Sequence, residues 1–306
     1  KDMACAEETK AELIPRPGFE RKRKLGEDDD AAEKKKRRRD PFDRLPSKLF
    51  DIGANLTHES FEKDLKEVLE RAIKNDINNI CITGCNLLDS KKALEIAQLF
   101  PDNLITTCGI HPHYADSFNK NSMLEIFDIC KNNIVKAIGE TGLDFNRNYS
   151  DKNKQIESFL NHIKIANKLN LPMFLHQRDA HQDFMDCINT EKPEVKCVVH
   201  CFTGQKNELE EYLIKDFYIG LTGWICDPQR GSHLEELIPL IPLDKLLIET
   251  DSPYLLPKNL KIKGRRNEPS FLNEILNKVV EVRKETETEI KEALMKNSLY
   301  FFNLLR

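Results

Sequence analysis

Ala137-Ile138-Gly139-Glu140-Thr141-Gly142-Leu143-Asp144-Phe145 is the stretch on which the reading of this chain turns. The apolar run from Ile134 to Ile138 reads as a short buried strand, and it ends in a glycine, a carboxylate and a second glycine. Glycine lacks a Cβ, so the backbone there can turn tightly and let an ion or a substrate come close. A carboxylate at the carboxyl end of a strand, beside such a turn, is where open-sheet and barrel enzymes place their chemistry. A lone glutamate in that position could equally cap a loop. What separates the two readings is how many other strands end the same way.

Outward from this fourth strand the chain alternates between strands and helices. Leu49 to Leu56 reads as the first strand, Asn79 to Thr83 as the second and Leu104 to Ile110 as the third, the last running into His111-Pro112-His113. Pro172 to His176 is the fifth, Cys197 to His200 the sixth, Phe217 to Leu221 the seventh and Lys245 to Thr250 the eighth. Between them apolar residues recur at helical spacing, as in Phe61, Leu65, Val68, Leu69 and Ala72. Ser150 is placed to N-cap the helix that carries Ile156, Phe159, Leu160 and Ile163. Helical segments from Ser270 onward close the chain. Apolar strands that need cover on both faces imply a parallel sheet. Eight such units favour a closed (β/α)8 TIM-like barrel over an open doubly wound sheet.

The first 48 of the 306 residues look unlike the rest. They hold fifteen Lys/Arg and twelve Asp/Glu, a net of +3; with −4 for the whole chain, residues 49–306 carry −7. Few large apolar residues interrupt the charge blocks, so residues 1–48 are expected to be a disordered leader and 49–306 the folded unit. Within the leader, Arg21-Lys22-Arg23-Lys24 and Lys34 to Arg39 have the arrangement of a bipartite nuclear-import signal, which would bring an import receptor as partner. A solvated charge run or a nonspecific nucleic-acid tail would look the same. Nine scattered cysteines without a CxxC pair argue against a disulfide scaffold and suit a reducing compartment, nuclear or cytoplasmic. No apolar run approaches the ~18 residues of a membrane helix, so no membrane partner is expected.

Four strands end in side chains able to bind a metal: Glu140, His176, His200 and Asp251. The intervals between them are 36, 24 and 51 residues, the last spanning about two repeats. All four would therefore meet at one rim of a barrel, the face where barrel enzymes work. Two imidazoles and two carboxylates suit Zn²⁺, Mn²⁺ or, with more oxygen and water, Mg²⁺. Each residue alone has a plainer reading, as a core histidine or a turn former; four strand ends in phase make coincidence improbable. Arg178, two residues beyond His176, should sit above the metal, where a guanidinium can fork onto phosphate. Arg147, Lys258, Lys261, Lys263, Arg265 and Arg266 fall in other loops after strands, a basic rim suited to a polyanion. Arg266, beside Asn267-Glu268, could also form an Arg-carboxylate clamp. His111 is expected to reach substrate, His113 less so, and Trp224 could stack on a base or fill the loop core.

The same segments carry a family resemblance. Phe50-Asp51-Ile52-Gly53-Ala54-Asn55-Leu56-Thr57, Gly109-Ile110-His111-Pro112-His113, the Glu140 stretch, His200-Cys201-Phe202-Thr203-Gly204, Glu249-Thr250-Asp251-Ser252-Pro253 and Arg266-Asn267-Glu268-Pro269 together resemble the TatD family of metal-dependent deoxyribonucleases. The likeness runs from about Leu49 to the C-terminus, with the motifs in order. It implies hydrolysis of DNA phosphodiesters, often as a 3′→5′ exonuclease on single strands, with roles in DNA repair or breakdown. Glu140, His176, His200 and Asp251 match its metal and catalytic positions. One departure bears on the metal count. Many members carry His-x-His at the end of the first strand, where this chain has Gly53 and Asn55. One firm metal and a second weak one are therefore expected, with Asp251 and Glu140 as catalytic residues and the chain acting as a monomer. The alternatives are a hydrolase of a small cyclic amide or ester, which wants a closed apolar pocket rather than cations, and a non-catalytic nuclear scaffold, which predicts a broken metal set.

Overall fold

The two-sided hydrophobicity of the strands is met by a ring of parallel pairs. In the computed structural model, which describes residues 48–305, strand follows strand in chain order. They are β1 Leu49–Ala54, β2 Ile77–Ile82, β3 Leu104–Cys108, β4 Val135–Asp144, β5 Met173–Arg178, β6 Cys197–Val199, β7 Tyr218–Leu221 and β8 Leu246–Ile248. Every neighbouring pair is parallel. Beyond β8 the chain returns to β1: Asp251 N–H donates to Gly53 O at 2.8 Å, and Asn55 N–H donates to Ser252 O at 2.7 Å. The ring thus closes at its carboxyl rim, as expected of a TIM-like barrel.

The outer layer is α1 Leu65–Lys74, α2 Leu87–Leu99, α3 Lys120–Ile129, α4 Lys152–Leu169, α5 His181–Glu191, α6 Lys206–Ile214, α7 Leu234–Leu237, α8 Leu272–Val282 and α9 Glu287–Phe301. In α1 the buried residues are Val68, Leu69 and Ala72, one stripe at the helical period. The lumen is a separate apolar cluster, with Phe50, Ile52, Cys81, Ala137, Phe174, Val198, Tyr218 and Leu247 pointing inward from seven strands. The end of α9 stoppers its amino-terminal mouth: Phe301 and Phe302 are fully buried, with ring centroids 5.4 Å from Tyr218 and Phe50 respectively. The carboxyl mouth is left for polar residues.

Strand ends differ from the sequence expectation by a few residues, most at β4, which runs on past Ile138 to Asp144. The cap of α4 also differs. Asp151 accepts from the N–H groups of Asn153 and Lys154, while Ser150 is buried one residue earlier, accepting from Asp116 N–H and donating to His113 O. A hydroxyl needed to tie two loops together is not free to cap. The charged leader and its import-signal arrangement lie outside the described residues. Among the described residues no helix is long and apolar enough to cross a membrane.

Candidate metal centre

The glycines around Glu140 act on the neighbouring strand. Gly142 sits opposite His176 in the β4–β5 register, and a Cβ on it would run into the His176 carbonyl oxygen. One on Gly139 would run into Phe174 O. Both glycines have φ near +145°, at +146° and +142°, where L side chains are rare. The close approach read from the sequence is therefore that of β5, not of an ion, and its consequence is to set Glu140 beside His176.

Three imidazoles converge on one carboxylate oxygen. Glu140 Oε1 lies 2.7 Å from His200 Nε2, 2.9 Å from His176 Nδ1 and 3.2 Å from His111 Nε2. The donor atoms of His111, Glu140 and His176 all fall within 4.8 Å of one another. His111, expected as a substrate contact, is thus part of the innermost cluster; it follows β3 and caps the 3-10 turn Pro112–Ser117 by accepting from His113 N–H. Asp251 stands apart from that cluster. Its Oδ1 accepts from Asn55 Nδ2 at 2.9 Å, and Asn55 Oδ1 leads on through Cys85 Sγ, at 3.5 Å, to Glu140 Oε2, 3.8 Å further.

Two further carboxylates hold the far edges of the rings. Asp144 Oδ2 is 3.2 Å from His176 Nε2 and 2.9 Å from His113 Nε2. Glu249, wholly buried, places Oε1 3.3 Å from His200 Nδ1 while accepting from Cys201 N–H at 2.7 Å. A carboxylate on the outer nitrogen fixes the tautomer and orientation of a ligating histidine. Both acids lie in motif segments whose spacing gives them no role; only the fold backs them onto His176 and His200. Glu249 also explains the first strand: a Cβ on Gly53 would collide with Glu249 Oε2 and approach Phe174 Cζ to 2.8 Å. A side chain at 53 has no room.

The titration pattern follows from this crowding. Burial alone would depress His200, but Glu140 and Glu249 outweigh it and raise its pKa well above the usual imidazole value. His176 is likewise raised, burial being overcome by Asp144 and Glu140. Burial lowers His111 to about 4, leaving a neutral ring. Glu140 is held well below the ordinary carboxylate range: burial opposes this, and the imidazoles of His200 and His111 override it. Burial pushes Asp251 up to about 7, with the Glu140 and Glu249 charges adding to the rise.

This donor set fits a divalent cation. Three ring nitrogens and a carboxylate oxygen crowd one point, and protons drawn onto His176 and His200 supply the positive charge that the acids demand. Metal ligation by neutral imidazoles would release those protons and satisfy the same acids. Glu140, His176, His200 and His111 are the residues able to hold it, with Asp251 at the opposite lip.

The centre opens into a cavity of about 590 Å³ that Arg147, Arg178, His113, Trp224 and three tyrosines also line. Arg178 is the last residue of β5 and its guanidinium makes no hydrogen bond or ion pair among the described residues. Arg266 is elsewhere. Its guanidinium forks onto Asp64 at 2.8 and 2.7 Å, donates to Ser60 O and covers the Phe61 ring, so the clamp, not the substrate contact, is what the structure shows. Trp224 has Arg230 over one face, 4.3 Å from the ring centroid. The exposed Tyr114, Tyr149 and Tyr254 at the mouth were missed; a single tyrosine in a loop carries no signal until its loop is placed.

Comparison with known proteins adds the chemistry. The pattern of the family described as TatD related DNase matches residues 50–303. A protein of Erwinia tasmaniensis named 3′-5′ ssDNA/RNA exonuclease TatD is 42% identical over 259 residues, covering 84% of this chain and 100% of that protein. A TatD-family hydrolase structure from Entamoeba histolytica superposes with a TM-score of 0.76 at 30% identity, covering 84% of this chain and 99% of that one. The structure of a TatD homologue from Escherichia coli gives 0.77 at 25% identity, over 83% and 98%.

Proposed function

This chain belongs to the TatD-related DNase family, and from that premise we propose that it is a metal-dependent nuclease that hydrolyses single-stranded DNA, and RNA, from the 3′ end. The observation that carries the reading is the convergence of His111, His176 and His200 on Glu140 Oε1 inside a cavity that also holds Arg178, whose guanidinium has no partner among the described residues. The small-ester alternative wanted a closed apolar pocket; this mouth carries two arginines and exposed tyrosines.

Mg²⁺, Mn²⁺ or Zn²⁺, when bound, supplies positive charge to the phosphodiester and makes the attacking water more acidic. The chain's residues do the rest. His176 presents a fixed ring edge because Asp144 holds its other nitrogen, and the Glu249 carboxylate faces the outer nitrogen of His200 at 3.3 Å as its charge partner. Asp251 takes the proton of the water as the water oxygen bonds phosphorus. The Asn55 side-chain amide donates from Nδ2 to Asp251 Oδ1 and aims the accepting carboxylate. The bond from phosphorus to the O3′ of the preceding nucleotide breaks, that oxygen takes up a proton from solvent to become the new 3′-hydroxyl, and a nucleoside 5′-monophosphate leaves. Arg178 steadies the phosphate oxygens. One metal is held firmly; a second would have only Glu140, Asn55 and Asp251 to draw on and binds weakly.

The test is a single-stranded oligonucleotide labelled at either end, treated with chelator and then given Mg²⁺, Mn²⁺ or Zn²⁺. Stepwise shortening of the 5′-labelled strand and early mononucleotide release from the 3′-labelled one are expected. No cleavage with any of the three metals would overturn the proposal.

A further inference from the structure

The barrel order divides the cavity electrically. Around the ring, the loop after β2 lies opposite that after β6. The half of the mouth formed after β8, β1, β2 and β3 is lined by Asn55, Asn86, Asp89, Tyr114 and Tyr254 among others, and among the described residues no lysine or arginine lines it. The half formed after β4 and β5 supplies Arg147 and Arg178. A second cavity of about 440 Å³ continues from that side, sharing Gln177, Arg178, Thr203 and Trp224 with the first; Arg230 and His233 line it beside Asp179 and Glu208, and Arg230 also pairs with Asp227 at 2.7 Å.

A strand cut one nucleotide from its 3′ end has the same asymmetry. Beyond the scissile phosphate lies one nucleoside that ends in a hydroxyl and bears no further charge. On the other side each nucleotide adds a phosphate. We propose that the strand lies in one direction across the mouth: its 3′-terminal nucleoside between Tyr114 and Tyr254 with the 3′-hydroxyl on Asp89, and its 5′ portion passing over Arg178 and Trp224 into the second cavity. This rests on the nuclease reading above and adds the path.

Each contact has a physical reason. Tyr114 and Tyr254 are 48% and 52% exposed, so ring surface is open to a base, and stacking of this kind tolerates any sequence. Asp89 is fixed at the start of α2 (Leu87–Leu99), where its N–H donates to Asn86 Oδ1 and its Oδ2 lies 3.4 Å from Cys85 N. A carboxylate accepts a hydrogen bond from a terminal hydroxyl and repels a terminal phosphate. Trp224, one face already covered by Arg230, presents an indole between the two cavities.

Two variants test the path, with the metal-loaded full chain. Wild type should cut strands ending in a 3′-hydroxyl at least tenfold faster in kcat/KM than the same strands ending in a 3′-phosphate. D89N should shrink that ratio to threefold or less, and an unchanged ratio in D89N overturns the placement. R230Q should raise KM for a ten-nucleotide strand at least fivefold more than KM for a dinucleotide; equal changes overturn the second cavity as the 5′ path. A wild type that digests no nucleic acid would overturn the nuclease reading itself, whereas normal digestion with an unmoved ratio overturns the path alone.

Discussion

Glu249 Oε1 stands 3.3 Å from Nδ1 of His200, on the opposite edge of the ring from Glu140. The acid is fully buried in space that Gly53 leaves open. It is therefore a positioning residue for the imidazole that faces the metal. Replacing such a partner commonly costs 10–100-fold in metal affinity or activity. E249Q should weaken metal binding by about tenfold in calorimetric titration, with circular dichroism unchanged. Affinity equal to wild type would show that His200 is oriented by other contacts.

Asp51 predicts a pH effect away from the reaction. It is fully buried and raised from 3.8 to about 8 by burial, in spite of hydrogen bonds from Thr250 and Gly53. The folded state thus holds this proton to higher pH than the unfolded chain. The stability it contributes is complete below pH 3.8 and is lost as pH climbs to about 8. In D51N the amide has no proton to lose. The Tm difference, variant minus wild type, should therefore grow more positive between pH 5 and pH 8. Parallel curves over that range would contradict the assignment.

Phe301 tests the barrel stopper. It is fully buried against Tyr218 and Phe302, with centroids 5.4 and 4.9 Å away, at the end opposite the metal. F301A should lower stability by roughly 3–5 kcal/mol and Tm by about 10 °C, read by thermal denaturation. A shift within 2 °C would mean that α9 does not close the lumen.

The fold was legible because its signal is repetition: eight apolar runs at similar intervals, each followed by a helical period. The meeting of Glu140, His176 and His200 was legible for the same reason, since a barrel turns position along the repeat into position around a rim; Asp251 reaches them only through Asn55 and Cys85. What stayed hidden was sideways contact. Asp144 and Glu249 lie in the quoted motifs, yet their ring partners come from other strands. His111 follows the third strand in a loop, and it is that loop's turn that swings its ring onto Glu140 rather than out toward substrate. Arg266 shows the reverse: a cation in the right loop whose charge is already matched by Asp64 and Glu268.

In the proposed reaction Glu140 gathers the metal while Asp251 moves the proton. The most direct measurement is metal content by elemental analysis beside exonuclease rate, on E140A and D251N prepared alike with wild type. E140A should lose most of its bound metal together with its activity. D251N should keep near-wild-type metal while kcat falls by about 10²–10⁴. Metal retained in E140A, or D251N cutting at a rate close to wild type, would contradict the account.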